Sequence, residues 1–254
     1  MERRNLALLC AGVLCFWLFA LAVGTAQGAG LRVAIGGTGP AVQADAPAML
    51  TAAPANSGLQ LECRAAILIE PETGRVLYEK APDERMPIAS ITKLMTLLLT
   101  FEAIRGGKLT LDTPVPVSEH AYHMGGSQIW LEPGEQFTLD EMLRAICVSS
   151  ANDAAVAVAE YVGGSETAFA QQMNTRAAEL GMTSTHFSNA CGLDEEGHLS
   201  SARDVALMSR EILLHHAEVR NYCSIWMDTL RGGATQLVNT LSLIHISEPT
   251  RLQL

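Results

Sequence analysis

Ser90 and Lys93 place a nucleophile and a base within one turn of helix. A serine hydroxyl is a weak nucleophile at neutral pH and needs a positioned base, and residues i and i+3 share a face of an α-helix. An apolar stripe predicts a helix here that stops at Gly106-Gly107, with Ser90 at or near its N-terminus. Backbone N–H groups at that end favour negative charge on a serine oxygen. Lys93 can serve as the base only if burial or a neighbouring cation lowers its pKa from about 10.4.

The same spacing also has a purely structural interpretation, in which Ser90 caps the helix and Lys93 is a solvated residue of its first turn. Two observations favour catalysis. The chain has only three lysines (Lys80, Lys93 and Lys108), and only Lys93 has a serine three residues before it. A lysine in the first turn also has the wrong charge for the helix dipole, so a structural role leaves it unexplained.

Ser150 and Asn152 form a second polar pair, placed between two apolar helical segments. A hydroxyl and a carboxamide two residues apart on a tight loop can point into one cleft. The hydroxyl can pass a proton there, and the amide can hold a substrate peptide group. Most isolated S-x-N triplets are simply turns. The value of this one comes from its place between two predicted helices and after S-x-x-K in the chain.

The elements that must position these residues follow from local patterns. Segments 65–70 and 75–78 flank a turn with Pro71 and Gly74, which predicts a β-hairpin. Thr138 and Glu141 form a capping box that opens a helix through Val148. Further helices are predicted over 154–162, 165–180 and 201–214. Few strands and many helices indicate an α+β fold whose sheet is completed later in the chain.

Composition limits the class of protein. The chain has 254 residues, of which 48% are hydrophobic and 17% charged, so it can bury one sizeable core. A net charge of −10 argues against nucleic acid or an anionic membrane surface as a partner.

The first 26 residues have the pattern of a signal peptide. They begin with basic residues, continue with an apolar run over 6–23 and end with small residues before the predicted cleavage site. This pattern predicts export of the protein, and an uncleaved membrane anchor is the alternative. Residues 27–60 are rich in Ala, Gly and Pro, which predicts a flexible linker.

Cysteine and histidine spacing gives no sign of a metal site. Four cysteines lie beyond the leader without a C-x-x-C pattern, and we expect them to be mostly buried free thiols: Cys63, Cys147, Cys191 and Cys223. The pairs His120/His123 and His215/His216 lack the spacing of zinc motifs, so we expect surface or capping histidines.

The chain order S-x-x-K then S-x-N is the signature of penicillin-recognising serine acyltransferases. Five surrounding segments extend the match: AAILIE from Ala65, PIASITK from Pro87, GGSQ from Gly125, SANDA from Ser150 and GHLSSARD from Gly197. Over about residues 61–240 the chain resembles the D-alanyl-D-alanine carboxypeptidases, the low-molecular-mass penicillin-binding proteins of the S11 peptidase type. The resemblance implies a penicillin-binding/β-lactamase-like transpeptidase fold with a helical subdomain and an antiparallel sheet, and a catalytic domain over 61–240.

The resemblance also implies a reaction, the removal of the terminal D-alanine from peptidoglycan stem peptides outside the cytoplasmic membrane. Ser90 would attack the carbonyl of the penultimate D-alanine, and Lys93 would take the serine proton. Ser150 would help deliver that proton to the leaving amine, and Asn152 would hydrogen-bond the acyl part. Stem peptides ending in D-Ala-D-Ala are the implied substrates and β-lactams the implied acylating inhibitors, with no metal or organic cofactor.

One family motif is missing. K-T-G should follow the segment at 237–240, but no lysine lies beyond Lys108. In the family this lysine and threonine bind the substrate carboxylate and the strand supplies an oxyanion donor, whose loss costs about 10² to 10³ in rate. The missing positive charge would also leave Lys93 more readily protonated. Residues 241–254 resemble adapter or vector read-through, which predicts a truncated chain with an incomplete sheet; a divergent native tail is the alternative.

Two other functions stay open. A class A β-lactamase would share the serine acyl-enzyme but would need a deacylating glutamate, and no E-x-x-L-N occurs in the sequence. A non-catalytic relative that binds the cell wall would explain the absence of K-T-G without truncation.

Overall fold

The computed structural model describes residues 61–239. The predicted signal peptide, linker and read-through tail lie outside these residues. The described part opens with the predicted hairpin, in which β1 (Ala66–Ile69) pairs antiparallel with β2 (Val76–Lys80). Gly74 has a φ of 72°, a conformation that glycine adopts without steric cost, and this confirms the predicted turn.

Helices dominate the rest of the described chain. They are α1 (Lys93–Arg105), α2 (Glu119–Tyr122), α3 (Leu139–Ser149), α4 (Asn152–Gly163), α5 (Glu166–Glu179), α6 (Ala202–His215) and α7 (Val219–Cys223). The predicted capping box is present at the start of α3, where the Thr138 side chain and the Glu141 side chain each bond the other's backbone N–H. The helices predicted after Ser150, at Ser165 and at Ser201 are confirmed within two residues of their observed starts.

The strands within residues 61–239 form three separate two-stranded antiparallel sheets. Besides β1 and β2, β3 (Pro114–Pro116) pairs with β4 (Gln136–Thr138), and β5 (Met227–Leu230) pairs with β6 (Thr235–Val238). Helices packed with short antiparallel strands confirm the predicted α+β class.

Helix α4 lies at the centre of the main core. Its first eight residues are all buried, and four of them are alanines, whose small side chains allow neighbouring helices to approach closely. It contacts α1, α3, α5 and α2, so the helix that begins with Asn152 is fixed from several sides. A rigid central helix of this kind gives a functional side chain at its first turn a well-defined position.

Ser90 lies near the N-terminus of α1, as predicted, in a 3₁₀ turn (Ala89–Thr92) that leads into the helix at Lys93. Two sequence expectations need correction. The four described cysteines are free thiols as predicted, but only Cys191 is buried and the others are half-buried. His216 is also buried, stacked against Phe101 because the ring fills space beside the core.

Within residues 61–239, no helix is long and apolar enough to cross a membrane. Within the same range, no three His, Cys, Asp or Glu side chains are grouped closely enough to bind a metal ion.

Candidate active site

Ser90 and Lys93 meet as their spacing predicts. The Lys93 ammonium nitrogen Nζ lies 3.1 Å from Ser90 Oγ. The 3₁₀ turn that carries Ser90 leads directly into the first residue of α1, and this continuity sets the two side chains on one side of the chain. Ser90 is half-buried and Lys93 is 4% exposed, so the hydroxyl can be reached from solvent while the amine is enclosed.

The other neighbours of Lys93 determine what its amine can do. Nζ donates to Asn152 Oδ1 at 2.6 Å and to the Cys191 carbonyl at 2.8 Å. Both oxygens can only accept, so a neutral amine uses its two N–H bonds on them and its lone pair faces the remaining partner. That partner is the Ser90 hydroxyl, which can donate. The arrangement therefore orients Lys93 as a base toward Ser90.

Burial also makes the neutral amine accessible near physiological pH. Desolvation lowers the pKa of Lys93 to about 8, although charge interactions with Cys191 and Asp153 oppose the shift. A pKa of about 8 leaves roughly a tenth of the lysines neutral at pH 7, compared with less than a thousandth for an unperturbed lysine. The sequence argument required such a shift, and its cause is burial rather than a neighbouring cation.

Asn152 is fixed at the first residue of α4 by its side chain and its backbone. Its Nδ2 donates to the Gly125 carbonyl at 2.7 Å, while its backbone N–H donates to the Ser127 carbonyl at 2.7 Å. The amide therefore has one orientation, with Oδ1 toward Lys93. The loop from Gly125 to Ser127 is exposed and forms one wall beside this amide.

Ser150 lies two residues before Asn152, at the bend between α3 and α4. It is half-buried and adopts a left-handed conformation with φ 55°, which ends α3 and turns the chain into α4. Among residues 61–239 no hydrogen bond joins its hydroxyl to Ser90 or Lys93. The structure thus brings Ser90, Lys93 and Asn152 into direct contact and places Ser150 next to them in the chain, and its proton-transfer role stays a prediction.

A buried histidine supports the turn that carries the nucleophile. The Ser188 backbone N–H donates to His198 Nδ1 at 3.1 Å, so Nε2 carries the ring proton and donates to Thr92 Oγ1 at 2.7 Å. Burial lowers the pKa of His198, which keeps the ring neutral. His198 is therefore placed to position Thr92, the residue before Lys93, without touching a substrate.

Gly192 allows the backbone beside the nucleophile to pack closely. A Cβ on Gly192 would lie 1.9 Å from the Ala89 carbonyl oxygen, far inside the 3.0 Å below which Cβ contacts essentially never fall. Gly192 has a φ of 89°, and Ala89 itself has an unusual φ of 46°. The segment that supplies the Cys191 carbonyl to Lys93 thus packs directly against the residue before Ser90.

Sequence reasoning did not find these supporting residues. The Cys191 carbonyl, Gly192 and His198 come from a segment about a hundred residues after Ser90, and a backbone carbonyl leaves no trace in residue type. The signals available in the sequence were a glycine beside a cysteine, Cys191-Gly192, and a single histidine, His198, and neither specifies a contact.

Comparisons with known proteins agree with this geometry. The family profile described as D-alanyl-D-alanine carboxypeptidase matches residues 49–250. The chain is 49% identical over 191 residues to the D-alanyl-D-alanine carboxypeptidase DacF of Bacillus subtilis, covering 74% of this chain and 49% of DacF. It is 35% identical over 175 residues to DacA of Escherichia coli, covering 66% of this chain and 43% of DacA. The chain spans about half the length of these curated relatives or less.

Solved structures give the same result for the fold. Penicillin-binding protein 6B from Escherichia coli superposes with a TM-score of 0.68 at 31% identity, over 73% of this chain and 61% of that one. Penicillin-binding protein D2 from Listeria monocytogenes, in its ampicillin-bound form, gives a TM-score of 0.63 at 31% identity, over 71% and 73%. The profile covers well over half of the chain, and the protein belongs to the D-alanyl-D-alanine carboxypeptidase family of S11 serine peptidases.

Proposed function

We propose that this protein is a serine-type D-Ala-D-Ala carboxypeptidase that removes the terminal D-alanine from peptidoglycan stem peptides through an acyl-enzyme on Ser90. The observation that carries the proposal is the hydrogen bonding of Lys93. Its Nζ lies 3.1 Å from Ser90 Oγ and is held by two oxygens that only accept, in a buried environment that lowers the lysine pKa to about 8. A purely structural lysine would have no need of this arrangement.

The reaction follows from these contacts. Neutral Lys93 takes the proton from Ser90 as Oγ attacks the carbonyl carbon of the penultimate D-alanine. The protonated lysine is then stabilised by three acceptors, because Ser90 Oγ, Asn152 Oδ1 and the Cys191 carbonyl can all accept from it. The proton passes to the leaving D-alanine amine, with Ser150 as the proposed relay, and Asn152 contacts the acyl part. Water then hydrolyses the ester.

The proposed setting and partners follow from the family and from the predicted leader. The protein would act after export, on the outer face of the cytoplasmic membrane or beyond it, on stem peptides ending in D-Ala-D-Ala. The Listeria relative was solved in ampicillin-bound and cefotaxime-bound forms, which supports β-lactams as acylating inhibitors of this protein too. No K-T-G motif occurs in the sequence, so we expect acylation to be slower by about 10² to 10³ than in a relative that has the motif.

Labelling with a fluorescent penicillin tests the nucleophile. The parent chain should acquire label slowly, the Ser90→Ala variant should acquire none, and Ser224→Ala should match the parent because Ser224 is exposed on the C-terminal end of α7. Release of D-alanine from a stem pentapeptide should show the same order. Equal labelling of the parent and Ser90→Ala would sink the assignment. Rapid loss of the label by hydrolysis would instead favour a β-lactamase.

A further inference from the structure

Trp130 combines two features that are each unfavourable in a folded protein. Its side chain is 75% exposed, the largest exposure of any large hydrophobic residue within 61–239. Its backbone also has a φ of 57°, in the left-handed region that a bulky side chain rarely adopts. Asparagine or glycine would fit this conformation more easily and would not expose an indole ring. Persistent strain of this kind is most often associated with function.

The exposure of Trp130 is not the result of a loosely held loop. The flanking residues Ile129 and Leu131 are 3% and 1% exposed, so both side chains anchor the loop in the core. Their backbone N–H groups both donate to the buried carboxylate of Asp153, each at 3.1 Å to Oδ2. A carboxylate that accepts two backbone bonds fixes the segment from one side.

Arg231 fixes the same segment from the other side. Its Nη1 donates to the Ile129 carbonyl at 3.1 Å and its Nη2 donates to the Trp130 carbonyl at 3.0 Å. The guanidinium is itself held by Glu135, with Nη2 2.6 Å from Oε2, and lies 5.0 Å from the centre of the Phe137 ring. Asp153 accepts two hydrogen bonds from the backbone around Trp130 and Arg231 donates two to it. These four bonds hold the segment in the conformation in which the indole ring is exposed.

The loop that carries Trp130 is connected directly to the candidate active site. Asp153, which holds the loop, is the residue after Asn152, whose side chain contacts Lys93. The same loop supplies the Ser127 carbonyl to the Asn152 backbone N–H. A continuous series of contacts therefore joins the loop around Trp130 to the nucleophile, through Asp153, Asn152 and Lys93.

We propose that the Trp130 indole is a substrate-binding platform that packs against the stem-peptide residues preceding the penultimate D-alanine. The proposal rests on the carboxypeptidase function above and deepens it, because it concerns the acyl side of the same site. An aromatic face suits the flat peptide groups and methylene segments of such a chain. Because the loop is bonded to the residue after Asn152, which we propose contacts the acyl part, we assign the ring to stem-peptide residues near the scissile bond. The sugar of a peptidoglycan strand is separated from that bond by the rest of the stem.

Peptide binding to Ser90→Ala protein, which cannot be acylated, tests the proposal without interference from turnover. Isothermal titration would compare a stem pentapeptide ending in D-Ala-D-Ala with acetyl-D-Ala-D-Ala, which lacks the preceding residues. Trp130→Asn suits the left-handed backbone but removes the ring. We expect it to weaken pentapeptide binding about two- to tenfold, the range for one aromatic contact, and to leave dipeptide binding unchanged. Trp130→Phe should restore most of the affinity, and Trp226→Asn, which removes another exposed indole, should have no effect.

The possible outcomes separate this proposal from the proposed function. If Ser90→Ala protein with Trp130 intact binds neither peptide, and penicillin does not acylate Ser90 in the unmodified protein, the proposed function and the platform both fail. If penicillin acylates Ser90 but Trp130→Asn leaves pentapeptide binding to Ser90→Ala protein unchanged, only the platform is refuted. Equal weakening for both peptides would show that the ring merely maintains the loop, which also refutes the platform. A loss seen only with peptides that carry an amino sugar would assign the ring to the glycan instead.

Discussion

Gly192→Ala is the substitution that most directly tests the packing around the nucleophile. The new Cβ would lie 1.9 Å from the Ala89 carbonyl oxygen and 2.4 Å from the Ala89 carbonyl carbon. These are backbone atoms of the residue before Ser90, so no flexible side chain can move aside. The Ala89 carbonyl or the Cys191-Gly192 segment must shift by at least about 1 Å, and a displacement of that size at a reacting group can reduce the rate about 10²-fold.

Gly197→Ala provides a matched control for the backbone conformation. Gly197 has a φ of 83°, close to the 89° of Gly192, but a Cβ there would meet nothing within 4 Å. A left-handed alanine costs about 1 to 2 kcal/mol, and this is the whole expected effect at Gly197. At Gly192 the steric overlap adds about 1 to 3 kcal/mol, as for overpacked cores. We therefore expect losses of about 1 to 2 kcal/mol for the control and about 2 to 5 kcal/mol for Gly192→Ala.

Thermal unfolding and penicillin labelling measure these two consequences separately. One kcal/mol corresponds to about 2 to 4 °C in Tm for a domain of this size, so Gly192→Ala should unfold well below the control. Labelling of Ser90 should be near the parent rate in Gly197→Ala and lower by about 10²-fold in Gly192→Ala. If both variants match each other in Tm and in labelling rate, the close approach between Gly192 and Ala89 has no role in positioning the nucleophile.

Three further predictions concern pH. Because the neutral form of Lys93 is the base and its pKa is about 8, the labelling rate of Ser90 should rise with pH through about 8 and then level off. Asn152→Asp places a carboxylate where Asn152 Oδ1 now lies 2.6 Å from Lys93 Nζ, and this negative charge raises the pKa of Lys93. The rise in labelling rate should therefore move to higher pH by at least about one unit. An unchanged pH profile in Asn152→Asp would contradict the assignment of Lys93 as the base. Burial lowers the pKa of both His198 and His216. As pH falls, the unfolded chain therefore binds more protons than the folded chain does. The free energy of unfolding, measured in urea, should decrease from about pH 7.5 to 6, and it should decrease less steeply in His198→Gln. The same slope in the parent and in His198→Gln would contradict a buried neutral His198.

Local sequence patterns predicted the parts of this fold that depend on local interactions. The turn around Gly74 and the capping box of Thr138 and Glu141 are each completed within a few residues, so their residue types are sufficient evidence. The contact between Ser90 and Lys93 was predictable for the same reason, because the two residues are only three positions apart in the chain.

The rest of the site depends on contacts between distant parts of the chain. The Cys191 carbonyl that orients Lys93 lies 98 residues away from it in sequence, and His198 lies 106 residues from Thr92. A carbonyl oxygen is present at every residue, so no residue type identifies the one that a lysine will use. The same limit applies beside Ser90, because the close approach of Gly192 to Ala89 in the 3₁₀ turn is a contact that a helical pattern cannot reveal.

Two of the five non-glycine residues with positive φ in the described part of the chain, Ala89 and Ser150, adjoin the candidate site. Ala89 directly precedes Ser90, and Ser150 turns the chain so that α4 can begin at Asn152. Each left-handed residue costs about 1 to 2 kcal/mol, which tertiary packing must offset. A relaxed backbone at Ala89 or Ser150 would redirect the chain just before Ser90 or Asn152, so this strain is the local cost of bringing both side chains to one buried lysine.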